Sequence, residues 1–575
     1  MYISEIKQIC NYRNLSGRAI YFDSKMNFLI GENNIGKTNI LELLNIIFST
    51  GKFNEGDFFD AHQYIQIKLT IKYNESELGF FENNFDIEDE HSITIIARQE
   101  SVDDRILYYH DTPTKTAISV GTIKSLNILY YFSQRMPSKE VDFRKTYGSG
   151  KVLNYIIQHS LEQSGISEKD ILKKSKLKDV VKNVNLQIGG LNSITGDNLK
   201  VYMDEDADKI VSRILELGDG NGRDLSSLGE GIQYAFNILL QILEIVFNVK
   251  STRREEDFIS RLIENECGDK LFPLFILLDE PEIHQHPYRQ RSLIKKIQDI
   301  INNENKPFLI LLKSLFNIDG LVGQIFIATH SPNILLNDYK QFVRVYKSTR
   351  VAGNIPEIIS GSRIALDVTL YKHLLRSFLY LKEAMFSKCI IFVEGDTENG
   401  AMPVFARRMN LNLDERNIGI VKLDGADSVE NCMKLYNNFG IKSMAVIDRD
   451  KKSKYDHLPD IYYTREKDFE EDVYRSFKLD DYLLYNKGMG NIEAFIGILR
   501  RYGITIDIPG FIENPLTCEI NDALQSQIMK DIRSHELTIL KGTKNASKAI
   551  MLSEHVTIIP PAFQKVIKLL LKEVK

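Results

Sequence analysis

The chain has 575 residues, 43% hydrophobic and 26% charged, with a formal net charge of −5. At about 150 residues per domain there is room for three or four domains, in the composition range of globular proteins. This balance excludes a polycation that coats nucleic acid along its whole length, although a basic footprint can still be local.

Residues 1 to 50 read as strand, turn, strand, glycine loop and helix. The apolar run MNFLI (26–30) ends at Gly31, and Ile40, Leu43, Leu44 and Ile47 then recur at helical spacing. Between 65 and 135 the runs IQIKLTIKY, SITIIARQ, ILYYHD and LNILYYFSQ are short and rich in β-branched or aromatic residues, which predicts strands. From Lys151 to about Leu217 the pattern is mostly helical. It includes the lysine-rich KKSKLKDVVKN (173–183), which is a solvated face or a DNA or subunit contact. A strongly apolar helix follows at 231–249. The buried strands FPLFILLDEPE (272–282) and QIFIATHSPNIL (324–335) then each run into a polar loop. LYKHLLRSFLYLKEAMF (370–386) predicts a linking helix, and CIIFVEGDTENG (389–400) starts a fresh strand-loop-helix unit.

GENNIGKT (31–38) fits G-x-x-x-x-G-K-[ST] between a predicted strand and a predicted helix, the context that a phosphate-binding loop requires. Backbone N–H groups around Gly31, Asn34 and Gly36 can surround phosphate oxygens. Lys37 adds a point charge, and Thr38 offers a hydroxyl to magnesium. Asp279 and Glu280 end the apolar strand FILL as a Walker B pair. Asp279 would hold magnesium and Glu280 would be the general base that orients water. His330, after a third buried strand, would reach the γ-phosphate or that water. Together these predict a site for ATP and Mg2+.

Ser226-Ser227-Leu228-Gly229-Glu230-Gly231 resembles the L-S-G-G-E signature of ABC ATPases of the SMC type, matching at Ser227, Gly229 and Glu230 and departing at Ser226 and Leu228. The resemblance implies that two heads close over ATP, hence a homodimer. It also places Arg13, in IKQICNYRNL, near the nucleotide. Gln134-Arg135 is the candidate Q-loop.

The strand CIIFV ends in Glu394-Gly395, with Glu398 four residues on. AVI ends in Asp448-Arg449-Asp450, and KDFEEDVY (467–474) adds further acids. Alternate positions on an extended chain point the same way, so Asp448 and Asp450 can share one metal. Clustered carboxylates repel unless cations compensate, and hard oxygen ligands suit Mg2+ or Mn2+. Two such ions about 4 Å apart can clamp a phosphodiester in line. These residues resemble the Toprim domain, and Gly425 matches a glycine often found there.

An ABC-type head followed by Toprim resembles the OLD (overcoming lysogenisation defect) family of nucleases, which includes Gabija-type and retron-associated members. The resemblance implies an α/β fold class: an N-terminal ABC/SMC-like ATPase domain with a helical dimerisation insert, then a C-terminal Toprim α/β domain. Its parts are 1–150 and 221–365 for the ATPase, 151–220 for the insert, 366–388 for a linker helix, and 389–575 for Toprim with a helical end. It further implies metal ligation by Glu394, Glu398, Asp448, Asp450, Glu470 and Asp472, and a late catalytic lysine. Lys544 is the first choice for that lysine and Lys541 the second, beside the reading of LKGTKNASKAIML as a basic helix start. The expected activity is an ATP-regulated DNA endonuclease of prokaryotic antiphage defence. Its implied partners are DNA, a second or fourth copy of the chain, and a UvrD-like helicase or a retron reverse transcriptase with its msDNA. An SMC-like ATPase that binds DNA without cutting it is the alternative.

The five cysteines are far apart and form no C-x-x-C pair, which argues against a zinc ribbon or a disulfide scaffold and fits a reducing cytoplasm. The opening MYISEIKQICNYRN lacks a signal-peptide core. No stretch reaches ~18 uninterrupted apolar residues, so no membrane span is expected.

Overall fold

The computed structural model describes residues 1–81, 84–132, 141, 148–165, 174–196, 198–203, 215–218, 229–347, 355–366, 381–423, 425–518, 520–540 and 546–573. The chain divides into two units, Met1–Ile364 and Ala365–Lys575.

In the first unit an antiparallel sheet forms from β1 (Tyr2–Cys10), β2 (Ile20–Tyr21), β4 (Ile65–Lys72), β5 (Ser92–Gln99) and β6 (Leu107–His110), in the order β2-β1-β4-β5-β6. Alternation along β4 buries Ile65, Ile67, Leu69 and Ile71 on one face, as a half-covered antiparallel strand should. The second sheet carries the chemistry. It consists of β3 (Met26–Gly31), β7 (Ile128–Tyr131), β8 (Phe275–Asp279), β9 (Ile325–Ala328), β10 (Phe342–Tyr346) and β11 (Glu357–Ser360), in the order β11-β10-β3-β9-β8-β7. All its pairs are parallel except β10 with β11. β3 and β8 are buried at every position, the mark of strands covered on both faces. The register sets Leu29 opposite Ala328, and Asp279 opposite Ala328 on the other side. The carboxyl ends of β3, β9 and β8 therefore emerge side by side, where open α/β sheets bind ligands. Gly31 is required where it stands: its φ is +143°, and a Cβ there would lie 1.9 Å from the carbonyl oxygen of Val345 on β10.

α1 (Lys37–Asn45) leaves the glycine loop and buries Ile40, Leu41, Leu43 and Leu44. The helical stretch contains α2 (Ser149–Gln163) and α3 (Lys174–Thr195), followed by a small antiparallel pair, Lys200–Met203 with Leu215–Gly218. Both helices pack on α4 (Glu230–Ser251). α3 also packs on α5 (Pro287–Ile301) and α6 (Lys306–Phe316). Tyr155 of α2 stacks on Phe316 at 5.7 Å, and its hydroxyl donates to the Leu315 carbonyl at 2.8 Å. The lysine-rich stretch lies in α3 from Lys174 onward. α4 is long and apolar enough to cross a membrane by length and composition, which the sequence reading did not anticipate, and 67% of that window is buried within the protein. A helix covered by neighbours on most sides is apolar nearly all round, so burial accounts for its composition.

The second unit holds a four-stranded, all-parallel sheet of β12 (Cys389–Val393), β13 (Ile418–Lys422), β14 (Lys442–Ile447) and β15 (Ile461–Tyr463), in the order β13-β12-β14-β15. Its helices are α7 (Asp396–Arg408), α8 (Val429–Asn438), α9 (Phe469–Ser476), α10 (Leu479–Gly488), α11 (Asp522–Leu540), α12 (Ala546–His555) and α13 (Pro561–Glu573), together with shorter ones. One apolar core joins β12 and α7 to Phe469, Tyr482, Leu552, Phe563 and Leu570. The predicted linking helix lies mostly outside the described residues.

Candidate functional site

The ends of β3, β8 and β9 enclose a cleft of about 890 Å3, lined by Asn33 to Asn39, Asp279, Glu280, Ala328 and His330. Lys37 is buried, and its Nζ donates to the carbonyls of Gly31 at 3.0 Å and Glu32 at 2.6 Å. Burial lowers its pKa to about 8, against the pull of Glu280 and Asp279. Thr38 Oγ1 lies 3.2 Å from Asp279 Oδ1. Burial pushes Asp279 up to about 6, and the charges of Glu280, Glu42 and Glu282 add to this against the Thr38 hydrogen bond. Asn34 has a φ of +56°, and Gly36 caps α1. Glu280 has a φ of +50° and sits with its Oε1 3.5 Å from His330 Nε2. Such left-handed backbone costs on the order of 1 kcal/mol or more and clusters at functional sites. Burial and the nearby Lys37 lower the His330 pKa, so the ring favours its neutral form.

Thus Gly31, Gly36, Lys37, Thr38, Asp279, Glu280 and His330, read from separate motifs, come together. Arg13 is not among the residues that line the cleft. It is tied to Glu42, to Asp57 at 2.7 Å and to Asn39 at 2.7 Å, bracing the first turns of α1. Ser227, Gln134 and Arg135 lie outside the described residues, whereas Gly229 is exposed at the start of α4. Sequence reasoning missed Glu282. Its Oε1 accepts from Thr329 Oγ1 at 2.6 Å, from the His330 N–H at 2.9 Å and from the Ser331 N–H at 3.2 Å. One carboxylate therefore holds the loop that carries His330. The signal was present, as a second acid two residues after Glu280.

In the second unit, Glu394 directly follows β12 and its Oε2 accepts the Asp448 N–H at 3.2 Å, joining the ends of β12 and β14. Glu398 is buried in the first turn of α7, and its Oε2 accepts the Gly395 N–H at 2.9 Å. Burial pushes its pKa up to about 7, and the charges of Glu470 and Glu394 add to this. Glu394, Glu398 and Glu470 thus share one electrostatic neighbourhood. Asp448 and Asp450 are arranged differently from the extended-strand expectation. β14 ends at Ile447, and Arg449–Lys451 form a 3-10 turn, so strand alternation does not relate the two side chains. Asp450 is exposed, 3.5 Å from Lys451. Asp472, expected beside the other acids, is fully buried against Arg465, with its Oδ2 2.8 Å from the Arg465 N–H and its Oδ1 3.1 Å from the guanidinium. Lys541 and Lys544 lie outside the described residues. Among the described residues no three His, Cys, Asp or Glu side chains form a preformed metal-ligand group.

Residues 1–188 and 148–335, together more than half of the chain, match the family model of the AAA ATPase domain. Residues 385–450 match the overcoming lysogenization defect protein-like TOPRIM domain. The chain belongs to the OLD family of ATPase–Toprim proteins. Among solved structures, the OLD chain is similar to the Smc head bound to the C-terminal winged-helix domain of ScpA, with 14% identity, 64% of this chain and 99% of that chain covered, and a TM-score of 0.37. It is also similar to the recombination mediator protein RecF with ATPrS, with 13% identity, 62% and 98% covered, and a TM-score of 0.31. A third likeness is to the C-terminal region of the Burkholderia pseudomallei OLD protein, with 15% identity, 33% and 100% covered, and a TM-score of 0.22. No curated protein matches.

The cleft fits a nucleotide in this OLD-family chain. It offers a buried lysine and a helix N-terminus to phosphate oxygens, and a hydroxyl–carboxylate pair to a hard cation. The carboxylates of the second unit fit a divalent cation by donor chemistry, because a positive charge would offset the burial, and with it the neighbouring charges of Glu470 and Glu394, that raise the Glu398 pKa.

Proposed function

We propose that this OLD-family nuclease is a DNA endonuclease that depends on Mg2+ or Mn2+ and is regulated by ATP. The observation that carries the reading is the convergence of Glu394, Asp448 and Glu398 where β12, β14 and α7 begin or end, with Glu470 in electrostatic contact. Glu394, Glu398, Asp448, Asp450 and Glu470 would hold the cation, which supplies Lewis-acid stabilisation to the phosphodiester when bound. The Asp448 N–H fixes the Glu394 carboxylate, and burial of Glu398 limits water at the site. Lys544, or else Lys541, would offset charge on the phosphate.

At the nucleotide cleft, Lys37 and the loop amides would hold the phosphates, and Thr38 with Asp279 would orient the cation. Glu280 would accept a proton from water, with His330 beside it. ATP closure of two heads, with Ser227 and Gly229 of one over the nucleotide of the other, makes a homodimer or tetramer the working form. A cytoplasmic antiphage role, restrained by a helicase-like or reverse-transcriptase partner, follows from the family resemblance.

The test is cleavage of supercoiled and linear DNA by the purified chain in Mn2+. Asp448→Ala should abolish cleavage and leave ATP binding intact; cleavage at the wild-type rate would remove the Toprim site from the chemistry. A second reading, an SMC-like ATPase that binds DNA without cutting it, is favoured by the lack of a preformed three-carboxylate ligand group among the described residues. DNA binding by a wild type that produces no cut ends would favour it.

A further inference from the structure

Beside Asp450 the second unit opens into a cleft of about 520 Å3 lined by Arg449, Asp450, Arg465, Glu466, Lys467 and Arg475. Four cations and two acids meet here, and the pairing within them is uneven. Arg475 is paired with Glu466, and Asp450 lies 3.5 Å from Lys451. Arg465 is answered by Asp472 from outside the cleft, with Ser476 Oγ 3.0 Å from the same guanidinium. Arg449 and Lys467 have no carboxylate partner among the described residues, although Arg449 donates to the Arg465 carbonyl at 2.7 Å.

Position in the fold explains why the cleft is rigid on one side. The Arg449 N–H donates to Thr464 Oγ1 at 2.9 Å, tying the turn after β14 to the end of β15. Asp472 receives both the backbone N–H and the guanidinium of Arg465, so α9 clamps that arginine from below. The Arg465 Nε is buried with no hydrogen-bond partner among the described residues, and Glu466 Oε1 stands off at 3.9 Å. The exposed Arg449 and Lys467, which no acid neutralises among the described residues, beside a guanidinium that Asp472 holds in place, suit phosphate oxygens. Base edges are not what such a surface reads, because backbone contacts position a strand without reporting its sequence.

We infer that this cleft seats the phosphodiester backbone of the nucleic acid next to the bond that is cut. Arg449 and Lys467 contact phosphate, and Arg465 is the wall that Asp472 holds in place. The inference rests on the nuclease reading and deepens it. It also gives Asp472 a purpose other than metal ligation: its carboxylate positions an arginine.

The test uses the full-length chain and a fluorescently labelled duplex, together with the corresponding single strand. Binding is measured in EDTA across a salt titration, and cleavage of the same DNA in Mn2+. Arg449→Gln with Lys467→Gln should weaken binding of both DNA forms regardless of sequence. The slope of log affinity against log salt should fall by about 0.9 per lost duplex contact, so the gap between wild type and double variant closes by roughly tenfold between 50 and 200 mM salt. Both residues are exposed, so the double variant should melt with wild type. Lys530→Glu, an exposed charge change on α11, serves as the control and should leave the slope unchanged. A double variant with wild-type affinity and slope, measured on a wild type that cuts DNA, overturns the phosphate cleft and leaves the nuclease reading standing. A wild type that neither binds nor cuts DNA overturns both.

Discussion

Replacing Glu282 by alanine removes one acceptor from three donors on the loop that carries His330. Thr329 is fully buried, so its hydroxyl proton is left without the acceptor it had, at roughly 1–3 kcal/mol. The Ser331 N–H keeps a 2.9 Å contact with Thr329 Oγ1, and His330 borders solvent, so these two add about 1 kcal/mol together. Against this stands relief of a carboxyl that burial already pushes above its usual range. The net expectation is about 2 kcal/mol of lost stability. The functional loss should be larger, because displacement of a catalytic group by about 1 Å can cost on the order of a hundredfold in rate. Glu282→Gln retains an acceptor oxygen in the same place and should keep most of both quantities. Denaturant unfolding of the ATP-free chain and steady-state ATP turnover measure the two effects. If Glu282→Ala unfolds and turns over ATP as the glutamine variant does, the carboxylate does not hold the loop, and the reasoning fails.

Lys37→Ala should abolish ATP binding while the carboxylate site of the second unit stays intact; nuclease assays with and without ATP should then show loss of nucleotide control. Total loss of metal-dependent cutting in every nucleotide state would contradict this. Glu536, buried beside the Tyr474 hydroxyl at 3.3 Å, has its pKa raised by burial. Its folded form favours the proton, so the stability it contributes is fully present below its unfolded pKa of about 4.3 and is lost as pH rises through the folded value. Glu536→Gln should therefore flatten the fall in stability above that range, seen as melting temperature against pH. At Gly400, a Cβ would lie 2.7 Å from the Ala546 carbonyl oxygen. Gly400→Ala should cost about 1–3 kcal/mol in chemical unfolding, because backbone rather than a flexible side chain must give way.

The nucleotide site was legible in the sequence because each part is local: an apolar strand that ends at, or within a few residues of, Lys37, Asp279 or His330. Glu282 was visible as a letter but not as a function, since its three donors lie on a loop distant in the chain and meet it only through the pairing of β8 with β9. The order β11-β10-β3-β9-β8-β7 was likewise out of reach, because each crossover is set by tertiary packing and not by any local pattern. In the second unit the strand ends at Glu394 and Asp448 could be read. The 3-10 turn at Arg449 could not, because an apolar run followed by D-x-D looks the same whether the strand continues or stops. Asp472 was placed among the metal-ligating acids by the family resemblance of the segment around DFEEDVY. In space an arginine seven residues earlier claims it.

The approach of α7 to α12 through Gly400 has a practical consequence for anyone who cuts this protein into modules. The family match ends at residue 450, and it is tempting to treat 385–450 as a portable cassette. Yet α7, whose first turn holds Glu398, has its opposite flank pressed to the backbone of Ala546, and Phe405 rests against Phe563 at 5.3 Å. An excised cassette would expose that flank to water and leave the Glu398 helix without its support. The smallest transplantable piece runs to α13, nearly three times the length that sequence similarity marks out.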